Sequence, residues 1–371
     1  MGVPGGVSEG FELTAAAACA YLRDTGRLPV SSACQASDLG GGVSCAVVLV
    51  ESPMGRWVLK QALPRLRVAA SWLADASRSR IEARCLEWLG RLLPPGHLPD
   101  LLFEDGPRHL LAVSAAPEGT PTLKQVLLGG RVPRAMLAEA GSLLGRWQAG
   151  TRTAEAAQVF ADLEPFRQLR ISAYYDAAAA VHPEVAAEMR GFAAAAQEMR
   201  VCLVHGDYSP KNMLVLSHGL WLLDFEVAHF GCRAFDPAFF LNHLALKCVH
   251  LPRIAPELRQ GAADFWSAYR EAAGWSDVRA LEREVLGHLG CLLLARVDGK
   301  SPAEYLVEAD ERDAVRLLGR GVLRGQWSSL AGLFAAAGQP SVPGRCPPPA
   351  VSAKGFGATG QQPRRTPSPP G

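Results

Sequence analysis

One change of period along the chain limits the fold more than any other feature. Up to Ser114 the apolar residues stand in short runs separated by turn residues, whereas from about Leu123 they recur at helical spacing. Leu39 to Lys60 predicts strand, turn, strand: Gly40-Gly41-Gly42 leads into Cys45-Ala46-Val47-Val48-Leu49-Val50, Ser52-Pro53-Met54-Gly55 turns, and Arg56-Trp57-Val58-Leu59-Lys60 returns. Leu98 to Phe103 and His109 to Ser114 predict two further strands. Thr14 to Arg23, alanine-rich and closed by Gly26 and Pro29, predicts a helix; Ser79 to Leu93 predicts another, stopped by Pro94-Pro95-Gly96. Later helices are expected over Met136 to Gln148, Ser172 to Val181 and Pro183 to Glu198, with short strands and loops only near Val201 to Phe225. A sheet followed by helices predicts an α+β fold of two lobes with a cleft between them, a mixed β lobe over 1–118 and a mainly helical lobe over 119–338. Residues 339–371 turn to Pro, Gly, Ser and Gln, cannot bury a core, and are expected to be a disordered tail.

Composition narrows the partners. The chain is 49% hydrophobic, and its 38 Lys and Arg against 36 Asp and Glu leave no basic block of the kind that binds nucleic acid. Nine cysteines without CxxC pairs, most inside apolar runs, read as buried thiols of a reducing compartment and not as a disulfide framework or a zinc site. With no signal-like N-terminus and no uncharged stretch of about 18 residues, the expectation is a cytoplasmic protein with no membrane partner. The oligomeric state is not legible.

The chemistry is concentrated in Val204-His205-Gly206-Asp207-Tyr208-Ser209-Pro210-Lys211-Asn212-Met213-Leu214, followed by Trp221-Leu222-Leu223-Asp224-Phe225-Glu226. Phosphoryl transfer from ATP needs a carboxylate to orient and deprotonate the acceptor hydroxyl, and oxygen ligands to hold Mg2+ against the phosphates. Asp207 follows an apolar strand and Asn212 follows it with four residues between, so one loop presents a base and a metal ligand to the same side. Asp224 ends the next apolar strand and Glu226 stands two residues on. Acids after strands are also common turn formers. Order, spacing and strand context together favour the catalytic reading.

His205-Gly206-Asp207 through Asn212, with Asp224-Phe225-Glu226, resembles the signature of the aminoglycoside phosphotransferase and choline kinase superfamily. Protein kinases carry HRD and DFG at these places; Gly206 and Glu226 favour the small-molecule branch. The resemblance implies a two-lobed protein-kinase-like fold and an ATP- and Mg2+-dependent kinase of a small-molecule hydroxyl. Asp207 would be the catalytic base, Asn212 and Asp224 the metal ligands, His205 a loop-positioning residue and Glu226 an additional metal contact. A second stretch, Val58-Leu59-Lys60-Gln61-Ala62-Leu63-Pro64-Arg65-Leu66-Arg67-Val68 with Trp72 and Arg80-Ile81-Glu82-Ala83, is similar to methylthioribose kinase. It implies that Lys60 contacts the ATP phosphates and that Glu82 pairs with it, against the alternative of a solvated strand end and an exposed helix charge. That kinase family reads HGD-L-H-T-G-S and D-P-E where this chain has its own catalytic loop and Asp224-Phe225-Glu226, so the acceptor is left open among sugar-like, aminoglycoside-like and amino-alcohol compounds.

Gly41, Gly42 and Ser44 are candidates for a phosphate loop, since glycines let backbone N–H groups approach phosphate oxygens, although three glycines before a strand also serve as a flexible turn. The kinase plan makes Ala115 to Pro117 a hinge, with the backbone of Ala116 on the adenine edge. Tyr174, in the stretch with Arg167, Arg170 and Tyr175, and Arg296, in Arg296 to Pro302, are candidates to line the acceptor site, against the alternative that the tyrosines pack the lobe and Arg296 makes a structural ion pair. Asp236 and Pro237 predict a helix start with Asp236 as its N-cap. Two other functions remain open at this stage: a catalytically silent pseudokinase that binds nucleotide, and an atypical protein kinase, which the lack of an APE motif and of room for an activation segment disfavours.

Overall fold

The computed structural model describes residues 11–40, 44–64 and 75–339. These residues build an α+β fold whose sheet comes first in the chain. Strands β1 (Gln35–Asp38), β2 (Cys45–Ser52), β3 (Gly55–Ala62), β4 (Leu101–Asp105) and β5 (Leu110–Ser114) form an antiparallel sheet in the order β1-β2-β3-β5-β4. The β2–β3 hairpin runs in register from Cys45 opposite Ala62 to Ser52 opposite Gly55. Alternation along β2 and β3 puts Ala46, Val48, Val50 and Leu59 into one small core with Leu110 and Ala112 of β5. The helix Ala15–Asp24 closes that core with Ala18, Tyr21 and Leu22, and Thr14 caps it by accepting from the Ala17 N–H. On the opposite face Cys45 and Lys60 are left free to point away from that core. Leu111 and Val113, the alternate residues of β5, join the larger core of the helical part.

β1 was not among the expected strands. The helix predicted over Ser79 to Leu93 runs Arg78–Leu89 and ends at Gly90, one turn early. The cysteine expectation needs correction: six described cysteines are buried thiols, but Cys19 and Cys34 form a disulfide, with Cα atoms 5.9 Å apart, joining the first helix to the segment before β1. Nothing in their spacing announces it, because the pair is made by the packing of a helix on a sheet.

In the helical part, Arg134–Gly150, Phe235–His250, Ala255–Ala273 and Val278–Asp298 are the long elements. Residues Arg167–Asp176, expected to be helical only from Ser172, form a π-helix. On it Arg170 and Tyr174, four apart, lie on one face, the guanidinium carbon 5.6 Å from the ring centre. Two small strand pairs carry the loops that matter. β6 (Cys202–Val204) pairs with β9 (His229–Gly231), and β7 (Met213–Leu216) with β8 (Gly219–Leu222). The loop 205–212 leaves β6 for β7, and 223–228 leaves β8 for β9, so pairing the four strands sets the two loops side by side. Among the described residues no helix is long and apolar enough to cross a membrane.

Candidate active site

The loop after β6 is held from behind. Gly206 has φ +78°, and a Cβ there would stand 2.8 Å from the Val227 carbonyl oxygen, so only glycine lets the two loops approach. The Asp236 carboxylate accepts the His205 N–H at 2.7 Å and the Gly206 N–H at 3.0 Å. Asp236 makes no capping bond to its own helix, which corrects the N-cap expectation: it lies inside the first turn and fixes the loop backbone. His205 stacks on Trp147 with ring centres 5.6 Å apart. Its Nε2 donates to the Leu223 carbonyl at 3.1 Å and its Nδ1 accepts the Asp207 N–H at 3.2 Å, so the ring ties the two loops together.

Burial holds His205, His229 and His288 down to about 4, and His243 well below the usual range. An unfolded histidine titrates near 6.5, so each ring favours the fold above that pH and withdraws its contribution as pH falls towards 4, about 1.4 kcal/mol per pH unit at most. Asp236, which burial pushes up to about 7, runs the opposite way. The rings themselves are therefore the direct readout. In an NMR titration His205, His229 and His288 should keep neutral-form shifts from pH 7.5 to 5; titration near 6.5 would contradict their packing.

Asp207, 4% exposed, has two cationic partners. Lys211 Nζ lies 2.9 Å and an Arg170 guanidinium nitrogen 3.1 Å from its Oδ2. Burial works against its charge, but Lys211 and Arg170 hold the carboxyl below its ordinary value. The Asn212 amide nitrogen donates to the Asp207 carbonyl at 3.0 Å, which turns its oxygen the other way. Ser209 Oγ, buried in the same loop, has no partner. Asp224 takes the left-handed φ of +71°, a conformation that aspartate tolerates and that costs on the order of 1 kcal/mol.

Lys60 Nζ donates to both Glu82 oxygens, at 2.7 and 2.8 Å, and to Asp224 Oδ1 at 2.9 Å. It thus joins β3, the helix Arg78–Leu89 and the loop after β8. Burial opposes all three charges. Asp224 and Glu82 nevertheless hold the ammonium well above its usual range, and Lys60 holds Asp224 well below the carboxylate range, while burial pushes Glu82 up to about 7. Only one Asp224 oxygen is taken by Lys60. The remaining Asp224 oxygen and Asn212 Oδ1 are hard oxygen donors of the kind that suit Mg2+.

Glu226, expected as a metal contact, accepts from Arg78 Nε at 2.8 Å and from the Cys45 thiol at 3.2 Å. In this arrangement it ties β2 and the Arg78–Leu89 helix to the loop carrying Asp224. Arg78 also donates to the carbonyls of Ser44 and Leu63. Ser44 thus closes the base of the hairpin through its carbonyl, which the Leu63 N–H also reaches at 2.9 Å. Gly41 and Gly42, like residues 65–74 of the second resemblance, lie outside the described residues. The Ala116 carbonyl accepts from Arg56 at 3.1 Å. Tyr174 and Arg296 are brought together at 3.5 Å, one side chain removed from Asp207 through Arg170. Sequence reasoning assigned no role to Lys211 beside Asp207, although the four-residue spacing was available to find it.

Residues 35–281, which include both catalytic-loop motifs, match the sequence model of the phosphotransferase enzyme family. The chain belongs to the phosphotransferase enzyme family. No curated protein matches it. Among solved structures, this phosphotransferase is similar to a choline/ethanolamine kinase family protein from Mesorhizobium loti at 15% identity and a TM-score of 0.53, covering 86% of this chain and 98% of that one. It is also similar to an ethanolamine kinase from Plasmodium vivax at 13% identity and a TM-score of 0.52, covering 85% and 94%. At these identities the likeness concerns the fold, which in this phosphotransferase is the kinase-like one.

Proposed function

We propose that this phosphotransferase moves the γ-phosphate of ATP to a hydroxyl of a small molecule, giving ADP and a phosphate monoester. The observation that carries the reading is Lys60: one partly buried ammonium bridging Glu82 and Asp224, next to a loop that presents Asp207 and Asn212. The nucleotide would lie between the lobes 1–118 and 119–338, with its adenine against Ala115 to Pro117. Asn212 and Asp224 would hold Mg2+, which would offset negative charge on the phosphates. Lys60 offsets negative charge on the phosphates, and Glu82 fixes where its ammonium stands. Asp207 orients the acceptor hydroxyl and takes its proton as the P–O bond forms. Lys211 and Arg170 keep Asp207 ionised and aimed, and Asp236 keeps the loop from shifting.

Replacing Lys60 by methionine removes the shared cation and leaves the Glu82 and Asp224 carboxylates without it. Mg–ATP-dependent turnover should fall by about 10²-fold or more, with a raised KM for ATP. Steady-state kinetics over an acceptor panel of sugars, hydroxy acids, aminoglycosides and choline would check this. Undiminished turnover in Lys60→Met would remove the basis for the nucleotide site.

A further inference from the structure

Beyond Asp207 the helical part carries two cations, Lys247 and Arg296, that make no direct ion pair among the described residues. Lys247, on the Phe235–His250 helix, is 0% exposed, and its ammonium has one hydrogen bond, 3.3 Å to the His243 carbonyl of its own helix. It stands 5.2 Å from the ring centre of Tyr305, whose buried hydroxyl has no partner. Arg296, 8% exposed at the end of Val278–Asp298, donates to Ser301 and Tyr174, while its buried Nε has no partner. Lys124 does have a carboxylate, Glu304. A buried charge without a direct ion pair is unfavourable, so Lys247 and Arg296 weaken the free protein. Burial and the like charges of Lys124 and Arg296 press Lys247 down to about 7, with Glu304 acting against them.

Arg296 is joined to the catalytic group through two side chains, and Lys247 lies within electrostatic range of Arg296. Arg170 pairs with Asp207 at 3.1 Å and lies against Tyr174, and the Tyr174 hydroxyl is 3.5 Å from Arg296. We propose that the acceptor is an anion: a hydroxylated compound whose carboxylate or phosphoryl group is held by Arg296, Lys247 and Tyr305 while its hydroxyl lies at Asp207. The inference rests on the phosphoryl-transfer reading above and adds the acceptor's charge. Charge-assisted bonds from the guanidinium, the ammonium and the tyrosine hydroxyl would satisfy groups otherwise left unpaired. A polycationic aminoglycoside or a quaternary amine would meet like charge there, which disfavours its binding.

Calorimetric titration of the intact chain without nucleotide tests this, using gluconate, glucose 6-phosphate, glucose and gentamicin as probes. Gluconate or glucose 6-phosphate should bind, and which of them does so separates the carboxylate from the phosphoryl source. Arg296→Met and Lys247→Met should each weaken that binding by about tenfold or more. Lys247→Met should keep or raise the thermal midpoint, which loss of a merely structural lysine would lower. The proposal is overturned if neither anion binds, if gentamicin or glucose binds and the anions do not, or if both variants leave anion affinity unmoved. Mg–ATP failing to bind would overturn the phosphoryl-transfer reading itself, a result told apart from loss of anion binding because the titrations omit nucleotide.

Discussion

Asp207→Asn should lower turnover by about 10²- to 10⁴-fold, the usual contribution of a positioned general base, while the affinity for Mg–ATP changes little. Asparagine keeps the shape and the acceptor oxygen but cannot take a proton. It also leaves Lys211 and buried Arg170 without their shared carboxylate, so a loss of stability of about 1–3 kcal/mol should accompany the loss of rate. The two effects are separable: denaturant unfolding reads one and single-turnover phosphorylation of folded protein reads the other. Because the two cations hold this carboxyl below its ordinary value, the rate should show no fall due to Asp207 above about pH 4. Turnover like that of the unaltered chain in Asp207→Asn would exclude the role.

Gly206→Ala should damage both stability and rate. The new Cβ would lie 2.8 Å from the Val227 carbonyl oxygen and 2.9 Å from Val227 Cγ1, on a backbone of φ +78° that side chains rarely adopt. Left-handed strain of about 1–2 kcal/mol and overpacking of about 1–3 kcal/mol should together remove about 2–5 kcal/mol of stability. Any relief requires the loop to withdraw from the 223–228 loop. That movement would disturb the two N–H bonds to Asp236 and the aim of Asp207. Denaturant midpoints and activity measured below the transition check both parts; an unchanged midpoint would mean that the loops are not packed as described.

What was legible in the sequence was local. The period change at Ser114, the β2–β3 turn, the five-residue step from Asp207 to Asn212 and the strand-end position of Asp224 are written in neighbouring residues, and the structure places them where those patterns point. What was not legible depends on residues far apart. Asp236 looks like a helix cap because an acid before a proline suits a helix start; that its carboxylate reaches two N–H groups thirty positions earlier is a fact of packing. Glu226 carries no sequence mark of its bond to Arg78, which arises only when the Arg78–Leu89 helix is seated. Cys19 and Cys34 are brought together by a helix lying on a sheet, and the burial of Lys247 is invisible because a lysine inside an apolar run usually snorkels to solvent. The π-helix leaves no residue pattern at all, yet it sets Arg170 against both Asp207 and Tyr174.

The most direct test of phosphoryl transfer to a small-molecule hydroxyl is a 31P NMR record of Mg–ATP incubated with the intact chain and a mixed pool of hydroxylated acids, sugars and amino alcohols. The expected result is loss of the γ-phosphate resonance matched by a growing phosphate-monoester resonance, both abolished by Asp207→Asn and by chelation of the metal. An intact γ-phosphate, or one that appears only as inorganic phosphate whatever the pool contains, would contradict the account.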